Sequence, residues 1–205
     1  VPSVMVIGVS GVAGSGKDTF FKIFKDLLGK REVKRFALAT ALKQEAGNWT
    51  IPNYGIDPLN CSRAEKEIIR PFLVFHGVSK RHKSNGRHWI NQLNDEILPF
   101  KESEQIAVIT DIRYAEYEKD EFYWLKEELG GLLVHVSTYS TKKDSNEGAL
   151  LLEFSTPANE EEFRNDPNLK KSADYVLEWP EIRGGLNVEE ELKPYVERFI
   201  EKINI

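Results

Sequence analysis

The sequence predicts a three-layer α/β fold, with one mostly parallel, five-stranded sheet between two layers of helices. Three observations carry this. Short apolar β-type runs alternate with longer segments whose apolar residues recur at three- and four-residue spacing. The runs VMVIGV and QIAVIT are apolar nearly throughout, as strands are when both faces of a parallel sheet are covered. With 205 residues and 40% hydrophobic content, the chain can bury one sizeable core but has no room for two, so a single domain is expected.

In order along the chain, Val4 to Val9 reads as the first strand and Lys17 to Leu28 as the first amphipathic helix. A strand at Val33 to Ala37 leads into helices at Thr40 to Asn48, Arg63 to Val78 and Trp89 to Phe100. Gln105 to Thr110 is the third strand, followed by a helix over Glu116 to Leu129. Leu132 to Ser137 and Tyr175 to Leu177 complete the sheet, and Val188 to Lys202 is the last helix. The polar stretches Asn48 to Asn60, Lys80 to Arg87 and Tyr139 to Lys171 read as irregular or mobile.

Composition narrows the function classes. A net charge of −5 argues against a general polyanion binder, though a local basic patch can still hold one phosphorylated molecule. The single cysteine, Cys61, has no internal disulfide partner and reads as a small half-buried residue. No apolar run approaches the roughly 20 residues of a membrane span, and the N-terminus lacks signal-peptide features, so a soluble protein is expected.

Between the first strand and the first helix lies GVSGVAGSGKDT, Gly8 to Thr19. Gly11, Gly14 and Gly16 let successive backbone N–H groups turn toward one point, and the helix N-terminus adds its partial positive charge. Such a pocket binds phosphate. Gly11, Val12, Ala13, Gly14, Ser15, Gly16 and Lys17 meet G-x-x-x-x-G-K, with Lys17 placed to bridge the β- and γ-phosphates. Asp18 stands where Ser or Thr normally follows, and the hydroxyl arrives one residue late at Thr19, a candidate for the Mg²⁺ shell.

Asp111 closes an apolar strand and should reach the sheet's carboxyl edge, where it can hold Mg²⁺ or its waters, or else cap the helix predicted after it. Arg113, two residues on, has the planar fork that suits phosphate, or pairs with Glu116 or Glu118. The basic run Lys80 to His88 is either solvated surface or the source of a phosphate-binding arginine, Arg81 or Arg87, with Arg70 a third choice. His135 reads as a core histidine, and Asp174 as a residue that caps or orients a loop.

The late-threonine motif AGSGKDT resembles the P-loop of nucleoside monophosphate kinases, most closely the phage-type deoxynucleoside monophosphate kinases. RFALATALK, HGVSKRHKSNGRHWINQL, VITDIRY and SADYVLEW are similar to further stretches of that family, in order over nearly the whole chain. The resemblance implies a P-loop kinase fold with an acceptor-binding helical insertion over 38–104 and a lid-like region over 138–171. It implies that Lys17, Arg113 and Arg81 or Arg87 act on the phosphates. It further implies that Phe36, Ala37, Lys43, Arg70, Trp89, Asp111 and Arg113 border the monophosphate. Lys142, Lys143 and Arg164 stand where the family's lid arginines clamp ATP. Phe36, Trp49, Tyr54 and Trp89 are available to sandwich a base.

The expected reaction is transfer of the γ-phosphoryl group of ATP to a deoxynucleoside 5′-monophosphate, with Mg²⁺ as cofactor. Expected partners are therefore small molecules, ATP and a dNMP, rather than nucleic acid or a membrane, with a homodimer left open. A cytoplasmic location is implied, in the host for a phage-encoded chain. Two other classes stay open: a P-loop kinase of a modified base in DNA, and a non-catalytic nucleotide-dependent switch.

Overall fold

The computed structural model describes residues 5–29, 31–101, 105–143, 150–182 and 187–205. In chain order the elements are β1 (Met5–Ser10), α1 (Lys17–Leu28), β2 (Val33–Phe36), α2 (Leu38–Tyr54), α3 (Arg63–Lys83), α4 (Arg87–Lys101) and β3 (Ile106–Ile109). A short α5 (Glu121–Tyr123) runs into a π-helical turn over Trp124–Glu128, and β4 (Leu132–Lys143), β5 (Leu150–Phe154), α6 (Glu160–Ser172), β6 (Tyr175–Pro180) and α7 (Val188–Ile203) follow.

Five strands lie parallel in the order β2, β3, β1, β4, β6, and β5 pairs antiparallel with the far end of β4. The expected three-layer α/β architecture is what forms. The sixth strand was not expected, because Tyr139 to Lys171 reads as polar loop. In the structure β4 continues to Lys143 and pairs Tyr139 with Phe154 and Lys142 with Leu151. The carbonyls of Thr138 and Tyr139 accept from Ser155 and Glu181 respectively, and successive strand carbonyls point to opposite sides, so β5 and β6 flank β4 on opposite edges.

Alternation along the strands divides the core in two. Ile7 and Val9, Ile106 and Val108, and Val134 and Val136 face α1 and α7, where Phe20, Phe24 and Phe199 meet with centroids 5.5–5.9 Å apart. Val6, Ala107, Ile109 and Leu133 face the other way, onto Ile90, Leu93, Ile97, Trp124 and Leu125. Both sheet faces are thus covered, which is why the strands are uniformly apolar.

Four helices differ from the sequence reading. Asn159 begins an unpredicted helix: its side chain accepts from Glu162 N–H at 2.9 Å, the first half of a capping pattern. The predicted helix over Glu116 to Leu129 does not start at 116, because the Asp120 carboxylate captures the N–H groups of Glu116 and Tyr117 at 3.1 and 3.2 Å. It then caps α5 by accepting from Glu121 N–H at 2.9 Å. Both Asn48 to Tyr54 and Lys80 to Lys83, read as irregular, are helical extensions of α2 and α3.

Glu45 ties α2 to α3 and α4. Its carboxylate meets His76 at 2.9 Å, Lys80 at 2.8 Å, His88 at 2.7 Å and Gln92 at 2.8 Å. Burial pushes the Glu45 carboxyl up, but these partners outweigh it and hold the group at about 2 against an ordinary 4.5. A carboxyl held below its unfolded value stabilises the fold above that value, and the stabilisation is lost as pH falls through the folded one. Glu45→Gln should therefore melt below wild type at neutral pH, with the gap closing between pH 4.5 and about 2. Thermal melts across that window check this; a gap independent of pH would assign Glu45 a packing role only.

Candidate functional site

The loop after β1 is built as the glycine spacing predicts. Gly11, Gly14 and Gly16 have φ of 135°, 78° and 92°, conformations that side chains rarely adopt. A Cβ on Gly11 would run into the Val136 carbonyl and one on Gly16 into the Trp179 ring, whereas beside Gly14 there is open space. The loop's floor comes from distant strand ends: the Ser15 carbonyl accepts from Thr138 Oγ1 at 2.8 Å and from Trp179 Nε1 at 3.1 Å. Ser15 Oγ is buried with no hydrogen-bond partner. An orphaned buried hydroxyl in this loop is a polar group that a bound ligand could satisfy.

Lys17 starts α1, and its ammonium donates to the carbonyls of Gly11 at 2.7 Å and Val12 at 2.8 Å. Burial lowers its pKa, and Arg113 lowers it further. Ile112 N–H donates to the Val9 carbonyl at 3.1 Å, which sets the segment after β3 beside the end of β1. Asp18 explains the irregular motif: it points outward and pairs with Arg35 of β2 at 2.5 Å. Thr19 lies half-buried in the first turn of α1.

Asp111 is buried at the end of β3, and its two oxygens accept from the N–H groups of Leu38 and Ala39, both at 2.8 Å. It therefore caps α2, a helix 73 residues upstream, rather than the helix expected after it. Ala37 is the extended residue just before α2, and its side chain offers no cap hydrogen bond. Burial raises the Asp111 pKa, opposed by the two amides, by Arg113 and by Arg35.

Between α2, α3, the start of α6 and the segment after β3 opens a cavity of ≈ 550 Å³. Its lining mixes apolar Leu38, Leu42, Leu73, Val74 and Trp89 with polar Arg70, Arg81, Asp111, Arg113, Tyr114 and Glu121. Glu161 and Glu162 of α6 complete the rim. Of the sequence candidates, Arg70, Arg81, Trp89, Asp111 and Arg113 are thus gathered together.

Others are not. Arg87 makes a bidentate pair with Glu128 at 2.8 and 2.9 Å and does not line the cavity. Phe36 is buried in the core against Phe100, so it has no free face for a base. Trp49 packs between Phe72 and Tyr54, at 4.7 and 5.1 Å, outside the cavity lining. Lys43 is half-buried on α2 and is also absent from that lining. Lys142 pairs with Glu153 across the β4–β5 hairpin and Arg164 with Glu161 one turn away, both exposed. The side chain of Lys143 and residues 144–149 of the lid-like region lie outside the described residues.

Of the arginines lining the cavity, Arg81 is the most constrained. It is bidentate to Asp120, both contacts at 2.9 Å, stands 3.4 Å from Glu121, and lies over the Tyr114 ring at 3.5 Å. Glu121 in turn accepts from the N–H groups of Arg113 at 2.7 Å and Tyr114 at 3.1 Å. Burial pushes the Glu121 carboxyl up to about 8 against the pull of Arg81. The network holds the chain that carries Arg113.

Sequence reasoning missed Glu121, Asp120 and the acidic face of α6. Glu162 accepts from Ala13 N–H at 3.1 and 3.2 Å, and Asp166 meets His135 Nε2 at 2.9 Å. The only local signal was the Asn159 to Glu162 capping spacing. His135 is buried as expected, and Asp174 braces β4 by accepting from Leu133 N–H at 2.7 Å. Among the described residues no group of three or more His, Cys, Asp or Glu side chains could hold a metal ion. Among them too, no helix is long and apolar enough to cross a membrane.

No family model and no curated protein sequence matches the chain. Among solved structures, dephospho-CoA kinase from Campylobacter jejuni is 12% identical, with 97% of this chain and 96% of that chain covered and a TM-score of 0.52. Shikimate kinases from Bacteroides thetaiotaomicron and Aquifex aeolicus are 12% and 16% identical, each covering 98% of this chain, and 99% and 96% of theirs, with TM-scores of 0.45. The chain shares its α/β fold with the dephospho-CoA kinase.

Proposed function

We propose that the protein is a P-loop phosphotransferase that moves the γ-phosphoryl group of ATP to the 5′-phosphate of a deoxynucleoside monophosphate. The observation that carries this reading is one cavity lined by Arg70, Arg113 and the apolar Leu42, Leu73 and Trp89, whose Glu162 also holds Ala13 of the glycine-rich loop. A nucleoside monophosphate carries both chemistries such a lining can meet, an anion and a flat, weakly polar base. The kinase fold and the resemblance of AGSGKDT, RFALATALK and VITDIRY to deoxynucleoside monophosphate kinases support it.

An oxygen of the acceptor phosphate forms a bond to the γ-phosphorus as the bond to the β,γ-bridging oxygen breaks, and that oxygen leaves with ADP. The acceptor is already an anion, so the protein needs no dedicated base and acts by positioning and neutralising charge. Loop amides from Gly11 to Gly16 and the Lys17 ammonium hold the donor. Arg113 and Arg70 are the arginines assigned to the acceptor phosphate, and Trp89 to its base. Mg²⁺, when bound, neutralises charge on the donor oxygens. Thr19 is the hydroxyl assigned to it, and Asp111 is assigned to its waters, because both carboxylate oxygens already accept from α2 amides.

An acceptor screen tests the function. Protein, ATP and Mg²⁺ are incubated with each dNMP, each NMP or duplex DNA, and labelled product is followed. Labelled dNDP is the expected product. Label in DNA, or slow ADP release without any acceptor, would move the protein to the two other classes.

Arg113→Ala should raise the KM for the monophosphate about tenfold or more, in line with a lost charge-assisted hydrogen bond. Asp111→Asn should weaken Mg²⁺ dependence and loosen α2. Acceptor and metal titrations check both, and unchanged apparent constants would return the two residues to structural roles.

A further inference from the structure

Glu162 sits where an anion belongs. Its carboxylate takes the Ala13 N–H with both oxygens, at 3.1 and 3.2 Å, and also accepts from Ala158 N–H at 2.9 Å. Ala13 lies in the middle of the phosphate loop, whose amides converge to bind negative charge. Lys17 is within electrostatic reach of Glu162, yet its ammonium is folded back on the Gly11 and Val12 carbonyls. We infer that Glu162 is an internal occupant of the donor-phosphate site, and that a nucleotide must expel it to bind. The inference rests on the phosphotransferase reading above.

The physics is competitive. A carboxylate and a phosphate compete for one N–H donor, and two anions a few ångströms apart repel. The donor's apparent affinity is therefore its intrinsic affinity multiplied by the fraction of molecules in which Glu162 has released the loop.

The rest of α6 is anchored independently. Asn165 accepts from Ala115 N–H at 3.2 Å, and Asp166 meets the buried His135 at 2.9 Å. Expulsion therefore bends away only the first turn. That turn also forms the acceptor cavity's rim, through Ala158, Asn159, Glu161 and Glu162. Donor binding thereby reshapes the acceptor cavity, and α6 couples the two sites.

The test is calorimetric titration of the wild type with the β,γ-imido analogue of ATP at fixed Mg²⁺, alongside Glu162→Gln, Glu162→Ala, Glu160→Gln and Lys17→Ala. Both Glu162 variants should bind about tenfold more tightly than wild type, equivalent to about 1.4 kcal/mol. Glu160→Gln, an exposed residue of the same turn losing the same charge, should match wild type. Gln at 162 preserves size and fold, so a failure of the Ala variant to fold leaves the comparison intact. Equal or weaker binding by Glu162→Gln overturns the proposal, as does an equal gain in Glu160→Gln, which would make the effect one of net charge. Lys17→Ala separates the two levels: if it binds the analogue as well as wild type, or if wild type does not bind it, the phosphotransferase reading fails and the proposal falls with it.

Discussion

Lys17→Ala is expected to cut phosphoryl transfer at least about a hundredfold while leaving the fold intact, because a cation is removed from where negative charge develops. The side chain is half-buried at the start of α1, and no other lysine lies in the phosphate loop. In the free protein its ammonium is held by the Gly11 and Val12 carbonyls at 2.7 and 2.8 Å, so the substitution also loses two hydrogen bonds. Those bonds brace a loop that Thr138 and Trp179 hold from beneath, at Ser15. Circular dichroism and the unfolding midpoint should therefore change little, while single-turnover assays show the loss. Retention of more than about a tenth of wild-type turnover would show that Lys17 acts only on the loop, given the ~3–4 kcal/mol such donors supply to a transition state.

The second large effect falls on stability. Arg81→Ala should cost about 3–5 kcal/mol, the loss typical when one partner of a buried ion pair is removed and the other charge stays behind. The side chains of Arg81 and Asp120 are 7% and 1% exposed, and Glu121 stands at 4%. Asp120 has three further duties, to the amides of Glu116, Tyr117 and Glu121. Leaving its charge unpaired therefore disturbs the whole approach to α5. Arg87→Ala removes a more open pair with Glu128 and should cost no more than about 1 kcal/mol. Urea unfolding of both variants decides. An Arg81→Ala protein as stable as Arg87→Ala would free Arg81 to serve as a substrate ligand rather than as the strut beneath Arg113.

The basic run Lys80 to His88 shows how one stretch can be read and misread. Composition marks it as dense positive charge, and spacing allows either Arg81 or Arg87 to face phosphates. What separates them is the partner each meets. Arg81 is aimed inward at Asp120, 39 residues away, and Arg87 at Glu128, 41 residues away. Neither partner is visible from local pattern, because a helix face acquires its meaning only when another element packs on it. Phe36 makes the same point in the core. It looks like a base platform in RFALATALK, but the last turn of α4 brings Phe100 against it at 5.4 Å.

Local physics was legible wherever the signal was local. Apolar runs specified the five parallel strands, helical spacing specified α1 and α7 almost to the residue, and glycines specified a strand-to-helix turn with positive φ at Gly11, Gly14 and Gly16, because each depends only on neighbours in the chain. The capping alternative for Asp111 was half legible: a carboxylate at a strand end seeks free amides, but α2 supplies them only after β2 and β3 pair. The tertiary structure alone decided that α6 folds over the loop, that Glu162 takes the Ala13 amide and that Asp166 meets His135. Those contacts span 31 to 149 residues. Charge and amide at such separations carry no pattern in sequence, since their energy exists only once the sheet has brought them within hydrogen-bonding distance.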